Sequence, residues 1–189
     1  MSSFIIALVG MTGSGKTTVG RYLGGRLGVP VYDLDREIER LAGKTVRELF
    51  DTAGEDAFRR TEHETLSNLL SALHEQNAVF VLSTGGGVVL NPENVALLRR
   101  EAVTVCLVRS DAAIRRHVRT LARPPINGDF ETYRRIARER EPLYRAASEY
   151  LICNLDSASS ASQILRFLVK RRDADLLRAA MKSRRTGES

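Results

Sequence analysis

The stretch FIIALVGMTGSGKTT, residues 4–18, places an apolar run directly before three glycines and a Lys-Thr-Thr triplet. Residues 10–17 match the pattern G-x-x-x-x-G-K-[ST], which joins a strand to a helix. The glycines allow backbone N–H groups to surround phosphate oxygens at the positive N-terminus of that helix. The stretch therefore predicts a nucleoside triphosphate site. Its predicted binding residues are Gly10, Gly13, Ser14, Gly15, Lys16, Thr17 and Thr18, and the Thr17 hydroxyl is placed to bind Mg²⁺.

Short, β-branched apolar runs alternate with helical patterns along the rest of the chain. This alternation predicts an α/β domain of three layers, α/β/α, around a five-stranded parallel sheet. A proline-rich loop at 123–129 should separate two helices, and the second of these should break before Pro142. Serines at the start of the last helix should cap it. The predicted strands are 4–9, 31–33, 79–83, 103–108 and 150–153, and the predicted helices are 16–27, 35–42, 45–50, 54–75, 92–100, 111–121, 131–140 and 157–172.

The composition is that of an ordinary globular chain of 189 residues, which suits one domain. No apolar stretch approaches the roughly 20 residues of a membrane span, and the N-terminus lacks a signal-peptide pattern. Cys106 and Cys153 each lie in an apolar run and are expected to be buried thiols in a reducing compartment. We therefore expect a cytoplasmic protein with no membrane partner.

The net charge of +6 is concentrated in residues 170–189, which hold seven Lys/Arg and three acids. Because the rest of the chain is nearly neutral, we expect no nucleic-acid partner. Residues 170–189 are expected to be a basic, solvated C-terminal extension, with docking of an anionic partner as the alternative. Leu176, Leu177, Ala180 and Met181 have helical spacing, so the extension can also form an amphipathic helix.

Two further features lie at the ends of predicted strands. Asp33 and Asp35 follow the second strand, and Gly85, Gly86 and Gly87 follow the third. Phosphoryl transfer needs one carboxylate near Mg²⁺ and another to orient the attacking group, and both aspartates face one site if the intervening leucine points into the core. Consecutive glycines at this edge indicate that something approaches the backbone closely.

Three arginines are candidates for binding anions. Arg59 lies three residues before Glu62 on a predicted helix, a spacing that also suits an ordinary ion pair. Arg123 opens the proline-rich loop, from which it could close over a triphosphate and neutralise the moving charge. Arg140 lies just before the predicted helix break. Each arginine alone fits a solvated side chain better than a functional one.

Taken together, these motifs resemble those of the shikimate kinases, and the resemblance covers residues 4–155. Six features agree in order and spacing: the P-loop, Asp33-x-Asp35, Gly54-x-x-x-Phe58-Arg59-x-x-Glu62, Gly85-Gly86-Gly87, Arg123-Pro124 and Arg140-x-Pro142-Leu143-Tyr144. The resemblance implies a single P-loop kinase domain at 1–169 with a mobile lid at about 117–130. It also implies transfer of the γ-phosphate of ATP to the 3-hydroxyl of shikimate, with Mg²⁺. We expect the protein to be a monomer.

The resemblance further implies a role for each site residue. Those that would bind shikimate are Asp35, Arg59, Arg140 and the backbone of Gly85, Gly86 and Gly87, with Glu62 orienting Arg59. Those that would act on ATP, besides the loop, are Arg116, near the adenine, and Arg123. Those that would support Mg²⁺ are Thr17 and, through water, Asp33. Those that would be catalytic are Lys16, Asp35 and Arg123, with Asp35 also a candidate general base.

The sequence departs from the family pattern in three places, one of which is the basic extension from about residue 170 past the usual compact end. The lid has Arg-Pro-Pro at 123–125 where the family usually has Arg-Pro-Leu, and residues 154–158 contain neither the proline nor the base expected beside the adenine. That side of the adenine pocket is left unassigned. Two alternatives stay open: a related small-molecule kinase of the gluconate type, and a nucleotide-dependent regulatory protein on the same fold. The filled catalytic positions favour an enzyme.

Overall fold

The computed structural model describes residues 3–117, 129–171 and 173–186. A five-stranded parallel sheet forms its centre, as predicted, and its strand order is β2-β3-β1-β4-β5. The strands are β1 (Phe4–Val9), β2 (Val31–Asp33), β3 (Val79–Ser83), β4 (Val103–Val108) and β5 (Tyr150–Cys153). The helices are α1 (Lys16–Leu27), α2 (Leu34–Ala42), α3 (Val46–His74), α4 (Pro92–Glu101), α5 (Asp111–His117), α6 (Phe130–Ala147), α7 (Ser157–Leu168) and α8 (Asp175–Thr186), with a short 3-10 turn at Val88–Leu90.

The sheet has an apolar core on each face. Along β1, Ile5 and Ala7 belong to the core covered by α2, α3, α4 and α6, whereas Ile6 and Leu8 belong to the core covered by α1, α7 and α8. Because both faces are covered, all six β1 residues are buried and the strand is a continuous apolar run. The result is the predicted three-layer architecture.

The topology brings the predicted site features to one edge of the sheet. The strand order reverses at β1, whose neighbours are β3 and β4, so the loop after β1 lies at the topological switch point where open α/β sheets bind ligands. Asp33 is paired with Ser83 in the register of β2 and β3. The aspartates after β2 and the glycines after β3 therefore start from adjacent positions.

The region 45–75 consists of two helical segments, as predicted, which meet at a kink and together make up α3. Its N-terminus has a capping box, in which Thr45 accepts from the backbone N–H of Glu48 and the Glu48 carboxylate accepts from the backbone N–H of Thr45. Gly54 is the exception within it, with φ 80° and ψ 172°. The two predicted segments correspond to the two sides of this glycine, because an L-residue rarely adopts that φ.

The prediction that the helix breaks before Pro142 is wrong, because α6 continues to Ala147. Pro142 removes one N–H and leaves the carbonyl four residues earlier without its helical partner. Beyond the proline, Tyr144 and Ala147 are buried in the core, and the Tyr144 hydroxyl donates to the carbonyl of Gly86. These tertiary contacts hold the last turn in helical geometry.

Two smaller expectations are also corrected. The cap of α7 is Asp156, whose carboxylate accepts from the backbone N–H of Ser159, and not a serine, because the helix begins at Ser157 itself. Cys106 is buried as expected, but Cys153 is exposed. Cys153 lies on β5, the edge strand, where alternate side chains are left uncovered.

The C-terminal extension contains α8, which packs on the sheet side occupied by α1. Ala174 and Leu177 are fully buried in that core, and Leu176, Ala180 and Met181 pack against it. The expectation of a solvated extension is therefore wrong over Ala174–Met181, because its apolar stripe is covered. None of the described helices is long and apolar enough to cross a membrane.

Candidate active site

The loop between β1 and α1 has the backbone geometry of a phosphate cradle. Gly10, Gly13 and Gly15 all have positive φ values, of 138°, 82° and 96°. At Gly15 there is also no room for a side chain, since an added Cβ would lie 2.2 Å from Nδ2 of Asn154. The loop leads directly into the N-terminus of α1, where the free backbone N–H groups and the helix dipole favour an anion.

Lys16 is held by the loop in which it lies. Its ammonium group donates to the carbonyl oxygens of Gly10, at 2.7 Å, and Met11, at 3.0 Å, and the residue is only 8% exposed. These bonds keep a buried positive charge beside the loop, where a triphosphate would bring its negative charge.

The first turn of α1 faces the ends of β2 and β3 through oxygen atoms. The Thr17 hydroxyl donates to Oδ2 of Asp33 at 2.9 Å and lies 3.4 Å from the Ser83 hydroxyl. Although Asp33 stands at the N-cap position of α2, its side chain makes no capping bond, so the carboxylate is directed toward Thr17 instead.

These oxygen atoms suit a Mg²⁺ ion that is held mainly by the phosphates of a substrate. Mg²⁺ usually binds one or two carboxylates, several waters and the phosphates themselves, and needs no all-protein cage. Within residues 3–117, 129–171 and 173–186 there is no group of three or more His, Cys, Asp or Glu side chains that could hold a metal ion. Thr17 and Asp33 together match the smaller donor set.

The three consecutive glycines after β3 lie where side chains from three other segments converge. An added Cβ would lie 2.7 Å from Oδ1 of Asp35 at Gly85, 2.6 Å from the Thr12 hydroxyl at Gly86, and 2.3 Å from the Arg59 guanidinium at Gly87. Each glycine is therefore required for a close approach by the protein's own functional groups. We call these three glycines, with Asp35, Arg59, Glu62 and Arg140, the acceptor cradle.

The Arg59 guanidinium is fixed by two carboxylates. It donates to Glu62 at 2.8 Å and to Glu55 at 3.1 and 3.3 Å, and it lies over the rings of Phe50 and Phe58 at 5.7 and 5.2 Å. Only 17% of the Arg59 side chain is exposed. The guanidinium is thus oriented before any ligand arrives.

Glu62 is the buried partner of this pair. Burial raises the pKa of the Glu62 carboxyl, while the Arg59 charge and hydrogen bond act in the opposite direction. Its Oε2 accepts from Arg59, but its Oε1 is buried with no hydrogen-bond partner and would lie 3.1 Å from a Cβ at Gly85. An unpaired oxygen at this depth is costly unless a ligand or water reaches it.

Arg140 reaches the same glycines from α6. Its Nη1 donates to the carbonyl of Gly86 at 3.1 Å, and the Tyr144 hydroxyl donates to the same oxygen. The continuation of α6 past Pro142, which the sequence did not predict, supplies the second of these bonds. Two guanidinium groups, from Arg59 and Arg140, therefore meet at the triple glycine.

A family model described as "Shikimate kinase" matches residues 12–169. The chain belongs to the shikimate kinase family. A shikimate kinase of Paracidovorax citrulli is 42% identical over 150 residues, 78% of this chain and 80% of that relative. One of Thermoanaerobacter pseudethanolicus is 39% identical over 145 residues, 75% of this chain and 82% of that relative.

Solved structures agree with this membership. The structure of a shikimate kinase from Acinetobacter baumannii in complex with shikimate superposes with a TM-score of 0.80, with 33% identity and coverage of 89% of this chain and 94% of that one. A shikimate kinase from Bacteroides thetaiotaomicron gives a TM-score of 0.76 at 28% identity, covering 87% and 98% of the two chains. The resemblance and the P-loop NTPase fold predicted from the sequence are confirmed.

The structure does not test two of the predicted residues of this shikimate kinase family member. Arg116 is exposed on α5, and its neighbour Arg115 lies over the Phe130 ring at 4.5 Å. Arg123, with the rest of the predicted lid from 118 to 128, lies outside the described residues. The roles of both arginines stay predictions.

Two residues that support the P-loop were missed by the sequence analysis. Asn154, 3% exposed, donates from Nδ2 to the carbonyl of Ser14 at 2.8 Å and accepts from the Ser160 hydroxyl at 3.0 Å. Arg109 donates to the carbonyl of Gly13 at 3.4 Å. The sequence signal that could have found them is their position, since each directly follows the last residue of a strand.

Proposed function

We propose that this chain transfers the γ-phosphate of ATP to the 3-hydroxyl of shikimate. The observation that carries the proposal is the meeting of Arg59 and Arg140 at the triple glycine, beside a P-loop. Shikimate has one carboxylate and three hydroxyls on a compact ring. Arginine is the side chain suited to gripping a carboxylate in a planar, bidentate manner, and Asp35 can accept from a hydroxyl at the same cradle.

On the acceptor side, each residue has a distinct task. Arg59, already aligned by Glu62 and Glu55, and Arg140 would bind the substrate carboxylate, since each guanidinium carries more N–H donors than the bonds described above use. Asp35 would orient the attacking hydroxyl and take its proton. The backbone of residues 85–87 would lie against the substrate ring, because the glycines carry no side chains of their own.

On the donor side, the P-loop N–H groups would hold the phosphates, and Lys16 would move from its carbonyl partners to the β- and γ-phosphates. Arg123 would add a second positive charge as the phosphoryl group moves, and Arg116 would lie near the adenine. Thr17 and Asp33 would hold Mg²⁺, which when bound neutralises developing charge on the phosphate oxygens. Catalysis would then consist mainly of positioning and charge stabilisation.

We further propose that the protein works as a cytoplasmic monomer with Mg²⁺ as its cation. Its thiols support a reducing compartment, since Cys106 and Cys153 are both free. Gel filtration with light scattering tests the oligomeric state, and a mass near twice 21.0 kDa would contradict the monomer. Activity after exchange into Mg²⁺, Mn²⁺ or Ca²⁺ tests the cation.

The deciding experiment measures ADP release with shikimate, quinate and gluconate in parallel. We expect saturable turnover with shikimate and at least about tenfold lower kcat/KM for the other two, because a differently placed hydroxyl or carboxylate loses cradle contacts. Turnover with gluconate but not with shikimate would replace the proposal with the gluconate-type alternative. No acceptor-dependent turnover by folded protein would contradict it altogether.

A matched pair of variants tests the acceptor assignment. In Arg59→Ala the KM for shikimate should rise by about tenfold or more, while ATP affinity changes little, because Arg59 makes no contact with the P-loop in the structure. Arg60→Ala, an exposed neighbour on the same helix, should leave both parameters unchanged. An equal loss of ATP affinity in Arg59→Ala would contradict the assignment.

A further inference from the structure

A cavity lies beside the P-loop, between α6 and the strands β4 and β5. Its volume is about 240 Å³, and it is separate from the acceptor cradle, since none of the cradle's residues lines it. Its wall is apolar, with the side chains of Met11, Cys106 and Ala137 inside and the half-exposed Val108 and Leu151 at its open rim. Val108 and Leu151 are 41% and 42% exposed, an unusual fraction for large apolar side chains of a covered sheet.

The floor of this cavity, which we call the α6 cavity, contains an unpaired polar group. The Ser14 hydroxyl lines it, and although the residue is only 1% exposed, its Oγ has no hydrogen-bond partner. A buried hydroxyl without a partner is unfavourable. A ligand that extended to this depth would supply the missing partner. Burial raises the pKa of the Cys106 thiol to about 11, so that wall is uncharged near neutral pH.

The rim of the α6 cavity is positively charged. Four arginines and two carboxylates line it, which leaves an excess of two positive charges. Arg134 is paired with Asp111 at 3.2 Å and Arg145 with Glu141 at 2.9 Å. The arginines beyond these two pairs are Arg109, which reaches the Gly13 carbonyl, and Arg138, which is exposed. An apolar interior beneath such a rim suits a ring that carries one negative charge.

We propose that the α6 cavity binds a small carboxylic acid with a single ring. The ring would lie against the apolar wall, and the carboxylate would meet the arginines of the rim. The size agrees, because an apolar cavity of about 150 Å³ holds one benzene molecule and 240 Å³ leaves space for a carboxylate as well. The site is new relative to the proposed function, which uses the cradle and the P-loop.

Occupancy of the α6 cavity should be felt at both substrate sites. Met11 and Ser14 belong to the P-loop and line the cavity, while Tyr144, also in its lining, donates to the Gly86 carbonyl of the cradle. A ligand that packs on these side chains must alter their freedom to move when the nucleotide arrives. The cavity is thus placed to change ATP affinity without touching ATP.

The test uses 4-fluorobenzoate as the probe and 4-fluorobenzyl alcohol as its neutral counterpart, observed by ¹⁹F NMR. ADP, Mg²⁺ and shikimate are present at saturation, so that both substrate sites are filled and the cradle arginines cannot take the probe. We expect saturable millimolar binding of the acid, at least about fivefold tighter than that of the alcohol. Equal binding of the two, or no binding of the acid, would overturn the proposal.

Two pairs of variants locate the bound probe. Ala137→Phe should fill the cavity and abolish binding, whereas Ala146→Phe, exposed on the same helix, should not. If Ala137→Phe does not fold, Leu151→Trp at the open rim replaces it, with Leu155→Trp, at a residue that is 81% exposed and lies outside the cavity, as its control. Probe binding that survives both Ala137→Phe and Leu151→Trp would overturn the proposal.

The charge and the coupling are tested in the same proteins. Arg138→Gln should weaken binding of the acid but not of the alcohol, and Arg135→Gln, an exposed residue outside the cavity, should change neither. The acid should shift the KM for ATP in the wild type but not in Leu151→Trp. If shikimate did not bind, the probe could also occupy the cradle, but the cavity variants would still show whether it binds in the α6 cavity. Failure of the proposed function and failure of this proposal are therefore distinguishable.

Discussion

The donor and acceptor halves of the site are built in different ways. The P-loop consists mostly of backbone, and the six residues that connect β1 to Lys16, residues 10–15, need the correct dihedral angles and no reactive side chain. The acceptor cradle consists of side chains from α2, α3 and α6 that converge on three glycines after β3. A backbone site can be contained in one short stretch, whereas a side-chain site requires the whole fold to bring its parts together.

The two halves also differ in how they are held. The P-loop is supported from behind by Asn154 and Arg109, which bond to its carbonyls. The cradle is held by a buried charge pair, Arg59 and Glu62, and such pairs are sensitive to the loss of one partner. We therefore expect substitutions in the two halves to separate cleanly into effects on ATP and effects on shikimate.

The largest effect is expected for Lys16, the charged side chain of the P-loop. Lys16→Met should lower kcat by about 10³, because removing a preorganised positive donor costs two to three orders of magnitude in such sites. Steady-state ADP release measures it, and thermal unfolding monitors folding, since Lys16 also bonds to two carbonyls. Arg21→Met, exposed on α1, is the control. A kcat within about threefold of wild type would show that the donor half works through backbone alone.

In the acceptor half, Gly87→Ala tests whether the glycines are there for space. The added Cβ would lie 2.3–2.6 Å from the Arg59 guanidinium, so Arg59 must move. We expect the KM for shikimate to rise by about tenfold and the KM for ATP to stay within about twofold. Gly25→Ala, on α1 with nothing within 4 Å of the added Cβ, should have no kinetic effect. An equal rise in both KM values would contradict the separation of the two halves.

The two halves differ in how far the sequence could predict them. The P-loop and the five strands follow from local patterns, because a buried strand, a glycine turn and a helix start are contiguous. The sequence alone makes the cradle residues candidates, but only the family resemblance assigns them to one substrate site. Their convergence depends on long-range packing, such as the register that sets Asp33 beside Ser83.

Other features could not have been predicted from a local pattern. Asn154 is an isolated polar residue after β5, and its bond to Ser14 spans 140 positions. Helix α6 continues through Pro142 although proline tends to break a helix. The burial of Tyr144 and Ala147 in the core outweighs the helical hydrogen bond that is lost at the proline. The covered stripe of α8 had the right spacing, but nothing in the sequence says which surface it meets.

Asn154→Ala tests the support of the donor half. Its loss leaves the Ser14 carbonyl and the Ser160 hydroxyl without their partner. We expect the KM for ATP to rise by about fivefold and the free energy of unfolding to fall by about 1–3 kcal/mol. Asn68→Ala, exposed on α3, is the control, and both quantities should be unchanged in it. If the KM for shikimate rose instead, Asn154 would belong functionally to the other half.

Glu62→Gln tests the charge pair of the acceptor half. The amide oxygen can still accept from Arg59, so the KM for shikimate should rise by only about threefold. The stability effect depends on pH. Burial raises the pKa of Glu62. Protonated Glu62 therefore contributes stability below its ordinary pKa, and that stability is lost as the pH rises through the raised pKa.

Glutamine does not titrate, so the stability of the variant relative to wild type should increase as the pH rises through the pKa of Glu62. Urea unfolding of both proteins from about pH 4 to about pH 8 measures the difference. A relative stability that decreases with pH would mean that the Arg59 charge, and not burial, dominates the titration of Glu62.

The smallest kinetic effect is expected outside both halves, in α8. Leu177 is fully buried against the core that α1 and α7 share, so Leu177→Ala should lower the free energy of unfolding by about 2–5 kcal/mol. Both KM values and kcat should remain at wild-type levels below the unfolding transition, because α8 lies on the face of the sheet away from the acceptor cradle. Leu155→Ala, at a leucine that is 81% exposed, should change neither stability nor activity. A selective loss of ATP affinity in Leu177→Ala would show instead that α8 acts on the donor half through α1. The C-terminal helix would then be part of what positions the nucleotide site.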